Sequence, residues 1–117
     1  MASERMRRVD EAIREVLSEA LAAGLKDPRI GFVTVTSVDT SPDLRQARVY
    51  VSVLGDERSR DNTLDGLTSA AGFLQRETGR SLRLKRTPTL SFHYDESIDR
   101  GMRIGALLAQ DDSKQAR

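Results

Sequence analysis

A chain of 117 residues is long enough for one domain with a core that needs no disulfide or structural metal to hold it. It contains no cysteine, which excludes disulfides and thiolate metal sites and suits a cytoplasmic protein, and no apolar run approaches the roughly 20 residues of a membrane helix. The net charge of +1 does not by itself point to nucleic acid, but it is unevenly spread, since residues 76–86 hold five cations and one carboxylate, Glu77.

In chain order, Ser3 to Gly24 predicts a first helix. Met6, Val9, Ile13, Val16, Leu17, Ala20 and Leu21 share one face, Ser3 serves as N-cap and Gly24 as the stop. Lys26-Asp27-Pro28-Arg29 is a turn, because proline disfavours helix at the residue before it. Gly31 to Asp39 and Leu44 to Leu54 predict two strands joined by the turn cluster Thr40-Ser41-Pro42-Asp43. In the second strand Ala47, Val49, Val51 and Val53 face one way and Arg48, Tyr50 and Ser52 the other.

Residues 55–62 read as a charged loop, with Asp61 or Asn62 capping a second helix that carries Leu64, Leu67, Ala71 and Leu74. The small residues Ala70, Ala71 and Gly72 interrupt it. A glycine inside a helix costs about 0.8 to 1 kcal/mol relative to alanine, so a bend or a close approach to another backbone is expected there, with the helix resuming near Phe73 and ending at Gly79. Thr87 to Asp95 predicts a third strand with Leu90, Phe92 and Tyr94 on one face. Ser97 caps a last helix carrying Ile98, Met102, Ile104, Leu107 and Leu108, and residues 110–117 form a polar, frayed tail behind a single domain of residues 1–109.

The order is α-β-β-α-(kink)-α-β plus a C-terminal helix. The crossover between the second and third strands is long enough for them to lie parallel, which gives an α+β fold with a three-stranded mixed sheet in the order 1-2-3 and helices on one face.

Catalytic signals are few. His93 is the single histidine, on the polar face of an alternating strand, without a second histidine or a cysteine to complete a metal or nucleophile set. Asp95, Glu96 and Asp99 sit beside a helix start, where carboxylates serve the helix dipole. The basic run Arg76, Arg80, Arg83, Lys85, Arg86 is different. Part of it is a solvated edge, with Leu82 and Leu84 pointing inward, but it follows directly on an interrupted helix, where arginines and exposed amides suit successive phosphates. Arg5 and Arg8, with Arg7, extend the patch or merely pair with Glu4 and Glu11. A strand, helix, helix, strand order is also the arrangement in which a KH-type domain holds its nucleic-acid loop. The usual G-x-x-G is absent, and Ala70-Ala71-Gly72 occupies its place.

Six stretches together resemble the ribosome-binding factor A family. They are Lys26 to Gly31, Asp43 to Val51, Ala70 to Leu74, Leu82 to Lys85 with Pro88, Phe92 to Asp95, and Gly101 to Ile104, spread over nearly the whole chain. The resemblance implies a type II KH-like domain in which an A-x-G kink, Ala70 to Gly72, replaces the G-x-x-G loop. It implies binding to the immature 30S subunit and its 16S rRNA, and a part in late maturation, including processing of the 5′ end and adaptation to cold. It further implies no cofactor, no catalytic residues, no small-molecule substrate and a monomer, with a basic RNA-binding face of Arg5, Arg8, Arg76, Arg80, Arg83, Lys85 and Arg86.

Two competing functions have their own signatures. A protein-interaction module would use the wet sheet face or the kink and need the arginines only for solvation. A small RNA-processing hydrolase would need metal-dependent turnover through a carboxylate such as Asp95. With Phe32, Phe73, Phe92 and Tyr94 all assignable to the core, no exposed aromatic pair is expected for stacking on bases, which favours phosphate contacts over base reading.

Overall fold

The computed structural model describes residues 3–97, and the predicted last helix over residues 98–108 and the tail over residues 110–117 lie outside them. The elements follow the expected order: α1 (Glu4–Ala23), β1 (Val33–Thr40), β2 (Gln46–Val53), α2 (Glu57–Ser69), α3 (Ala71–Leu82) and β3 (Thr89–Tyr94).

α1 is capped as its sequence indicates. The Met6 amide donates to Ser3 Oγ at 3.2 Å, and Gly24 leaves the helix at φ 92. Its Ile13 and Leu17 are wholly buried. They pack with Leu67 of α2 and Leu74 of α3 on the inward row Ala47, Val49, Val51, Val53 of β2 and on Leu90 and Phe92 of β3. Burying a leucine or isoleucine fully is worth roughly 1.5 to 3 kcal/mol, so this layer of helices on one sheet face is the principal stabilising feature. The other face presents Arg48, Ser91 and His93 to water.

The sheet is mixed, in the order β1-β2-β3, with β1 antiparallel and β3 parallel to β2. The pairing of β1 shifts between Val35 and Ser37, leaving Thr36 as an extra residue, so that Val35 and Val38 both face the core. The Thr36 hydroxyl donates to the Asp95 carboxylate at 2.7 Å and lies 3.1 Å from the Tyr50 carbonyl oxygen. β3 begins beside the start of β2, with Thr89 opposite Gln46 and Phe92 opposite Val49.

Several boundaries differ from the sequence expectation. α2 starts at Glu57, and its cap is Asp56, whose carboxylate accepts from the Ser59 amide at 2.9 Å, in place of Asp61 or Asn62. The charged residues 57–62 are therefore the first exposed turns of a helix and not a loop, because charge carries no period to reveal it. α3 resumes at Ala71, two residues before Phe73, and it does not stop at Gly79 but continues to Leu82. Its end is set by Arg83, at φ 51.

Two aromatics are also misplaced by the alternation argument. Phe32 is 80% exposed, because it directly precedes Val33 and so faces away from the row led by Val35. Phe73 is 44% exposed, because α3 turns Leu74 and Thr78 inward and rotates Phe73 off that stripe.

Candidate nucleic-acid interface

The basic run closes a groove with parts from three elements. α1 is tied to the end of β1 by the Thr40 amide, which donates to Asp10 Oδ1 at 2.9 Å, and this brings the first turn of α1 to the hairpin tip. The parallel pairing of β2 and β3 brings the residues before Thr89 to the same tip, where the Thr89 amide donates to the Arg45 carbonyl at 2.9 Å. The result is a shallow groove between Arg5 of α1, Asp43 and Leu44 of the β1–β2 turn, and Arg83 to Arg86. Four cations and one carboxylate line it.

Both turns that frame the groove are held in unusual backbone conformations. Leu44 (φ 60) and Arg83 (φ 51) are the two non-glycine residues with positive φ among the described residues, and both line this groove. The left-handed region costs an L-residue roughly 1 to 2 kcal/mol, so local hydrogen bonds must hold each turn. At the first turn the Leu44 amide donates to the Ser41 carbonyl at 2.8 Å, and Asp43 Oδ1 accepts from the Ser41 hydroxyl at 2.6 Å and the Arg45 amide at 3.1 Å. These bonds hold the Asp43 carboxyl below its ordinary pKa, the Ser41 hydroxyl being the larger cause. At the second, the amides of Arg83 and Leu84 both donate to the Gly79 carbonyl, the latter at 3.3 Å. Leu84 is half-buried while Arg83, Lys85 and Arg86 are exposed, as their alternation indicates.

The other expected site residues lie elsewhere. Arg8 faces Glu4 at 3.2 Å on exposed α1, and Arg80 pairs with Glu77 on α3. Arg76 runs back along α3, its Nη1 lying 3.6 Å from where a Cβ on Gly72 would be. None of the three lines the groove. Ala70 is the joint between α2 and α3 at φ −86, ψ 0, and Ala71 and Gly72 form the first turn of α3. Hydrogen bonding continues across the joint, from the Ala70 amide to Gly66 and from the Leu74 amide to Ala70, both at 3.0 Å. Gly72 meets no neighbouring backbone within 4 Å. Close approaches between elements occur instead at Gly66, where a Cβ would stand 2.6 Å from Ile30 Cγ1, and at Gly79, against Thr87.

Beside the joint lies a second hollow, lined by Gly24, Leu25, Lys26, Asp27, Ser69, Ala70 and Phe73. Arg29 links two of these residues. Its guanidinium donates to both oxygens of Asp27, at 3.0 and 2.7 Å, and to Ser69 Oγ at 3.0 Å. The guanidinium and the Arg29 amide hold the Asp27 carboxyl down at about 2.

His93 bonds Ser91 Oγ at 2.9 Å and tilts against the Tyr50 ring at 5.7 Å. The Asp95 carboxylate accepts from Ser97 and from Thr36. Both have structural employment, and among the described residues no group of three or more His, Asp or Glu side chains is placed to hold a metal ion. No helix among the described residues is long and apolar enough to cross a membrane.

Asp43 and Leu44 line the groove without belonging to the basic run, and Arg45 follows them in the chain. The signal lay in topology, not composition: if β3 lies parallel to β2, whatever precedes Thr89 must stand beside whatever precedes Gln46.

The chain matches the family model described as ribosome-binding factor A over residues 5–108. It is 62% identical over 104 residues to a ribosome-binding factor A of Anaeromyxobacter sp. (strain K), spanning 88% of this chain and 75% of that one. Its fold superposes with a TM-score of 0.71 on the solution structure of a putative ribosome-binding factor A from Thermotoga maritima, at 37% identity over 80% of this chain and 89% of that one. It also superposes, at 0.62 and 30% identity over 74% of this chain and 91% of that one, on Thermus thermophilus ribosome-binding factor A as fitted into a cryo-electron-microscopy map of a 30S complex. The α+β architecture is thus the KH-like fold of these proteins.

Proposed function

Since the chain belongs to the ribosome-binding factor A family, we propose that it binds the immature 30S subunit in the cytoplasm as a monomer and contacts 16S rRNA. By doing so it assists late maturation of the small subunit, including processing of the rRNA 5′ end. The observation that carries this is the groove in which Arg5, Arg83, Lys85 and Arg86 converge from separate parts of the chain. Cations fixed on a folded surface neutralise successive phosphates and release their counterions, which gives sequence-independent affinity, while shape and position on the subunit supply selectivity. The role in processing is indirect: the protein holds the RNA in a form that nucleases cut. The structural roles of His93 and Asp95 support a binding function over hydrolysis.

Cosedimentation with separated small and large subunits at two salt concentrations tests this reading. Salt-sensitive association with the small subunit alone is expected. Absence from both subunits would refute it.

One observation favours protein contact as well. Phe32 and Leu54, 80% and 76% exposed, sit side by side, with the Leu54 amide donating to the Phe32 carbonyl at 3.0 Å. Large apolar side chains exposed together mark interaction surfaces. Association that survived nuclease and moderate salt, and was lost on Phe32→Ser with Leu54→Ser, would make this pair the principal contact.

A further inference from the structure

The β1–β2 turn supplies a wall of the cationic groove that the basic run does not include. Its Arg45 is fixed on both sides: the amide donates to Asp43 Oδ1 at 3.1 Å, and the carbonyl accepts from Thr89 at 2.9 Å, so its backbone is pinned against the segment that carries Arg86. The exposed guanidinium stands 3.8 Å from the Asp43 carboxylate, outside hydrogen-bonding distance, and so remains available to another anion. Asp43 itself lines the groove, its carboxylate oriented by the Ser41 hydroxyl.

We propose that the β1–β2 turn sets the affinity of the groove for a phosphodiester backbone, Arg45 contacting a phosphate next to those met by Arg83 to Arg86 and Asp43 repelling the same backbone. The proposal rests on the ribosomal-RNA reading above and extends it to a pair of residues with opposed effects. A planar guanidinium beside an open cationic groove suits a phosphate, which it grips in bidentate fashion. A carboxylate among four cations lowers their joint attraction for any polyanion, and so limits binding to RNA that also matches the groove in shape. The left-handed backbone at Leu44 lies between Asp43, which lines the groove, and Arg45, which stands beside it.

The test is equilibrium binding to purified small ribosomal subunits at about 50 and about 200 mM monovalent salt, the range over which each phosphate contact carries roughly a threefold change in affinity. Parent, Arg45→Ala, Arg45→Lys, Asp43→Asn and Lys85→Ala are compared, with matching thermal melts to confirm folding. Asparagine keeps the oxygen that accepts from Ser41 and Arg45, so the turn is preserved. Arg45→Ala is expected to bind more weakly with a salt slope shallower by about 0.7 to 0.9, Arg45→Lys to regain the parent slope, and Asp43→Asn to bind roughly threefold more tightly at the lower salt. If Lys85→Ala flattens the slope while Arg45→Ala matches the parent, or if Asp43→Asn weakens binding, the role of the turn is overturned and the groove reading stands. Binding by the parent that ignores salt overturns both.

Discussion

Gly79 of α3 is pressed against Thr87, so that a Cβ on the glycine would stand 2.3 Å from the threonine hydroxyl oxygen. The same glycine offers its carbonyl to the amides of Arg83 and Leu84. One residue therefore fixes both ends of the basic turn: the carbonyl bends the chain out of α3, and the missing side chain lets Thr87 return against the helix. The glycine sits where the groove's geometry is decided.

Replacing Gly79 with alanine is expected to lower stability by roughly 1 to 3 kcal/mol, the usual cost of overpacking, despite the better helix propensity of alanine. Combining Gly79→Ala with Thr87→Ala should recover part of the loss, which a double-mutant cycle in urea would show. Gly72→Ala is the control. Its Cβ would meet only Arg76 Nη1 at 3.6 Å, so a gain of up to about 1 kcal/mol is expected. A loss at Gly72 equal to that at Gly79 would mean that the helix joint, not the basic turn, holds the tight contact.

Arg83→Gly should separate stability from binding. Glycine adopts the left-handed end of a helix without steric penalty, so the variant is expected to gain about 1 kcal/mol in thermal or urea unfolding. It also removes one cation from the groove and should bind small subunits more weakly. A variant both stabler and fully active in binding would remove Arg83 from the interface.

The legibility of the fold in the sequence varies with the physical signal. β2 was plain because its inward row Ala47, Val49, Val51, Val53 is buried while its other face is wet, and α1 because both ends carry caps. The bulge at Thr36 was not, since one extra residue leaves both Val35 and Val38 inward without altering composition. The start of α2 was hidden in a run of charged residues with no apolar period. At the site, Lys85 and Arg86 announced themselves by charge density. Asp43 and Leu44 did not, because their place depends on the parallel register of two strands distant in sequence.

The helix start assigned to Asp56 has its own check. Asp56→Ala removes the acceptor for the Ser59 amide and should lower the urea midpoint, whereas Asp61→Ala and Asn62→Ala, already inside the helix on its exposed side, should leave it nearly unchanged. The opposite ranking would return the helix start to residue 61 or 62.

Asp27 should leave a mark on acid stability. Its carboxyl is held at about 2, below its ordinary 3.8, by the side chain and amide of Arg29. A carboxyl depressed on folding adds stability that is full above its unfolded value and fades as the pH falls through the folded value. Asp27→Asn should therefore unfold more easily than the parent at neutral pH, with the gap narrowing from about pH 4 down to about pH 2. A gap constant across that range would deny Asp27 its ion pair with Arg29.

The most direct measurement is the slope of small-subunit affinity against salt for the parent and for the double variant Arg83→Ala with Lys85→Ala. If the groove meets the rRNA backbone through these side chains, the slope becomes shallower by about 0.7 to 0.9 for each lost contact, and binding weakens most at low salt. An unchanged slope in a folded double variant would contradict the groove as the interface and move the search to the hollow beside Phe73 or to the apolar pair Phe32 and Leu54.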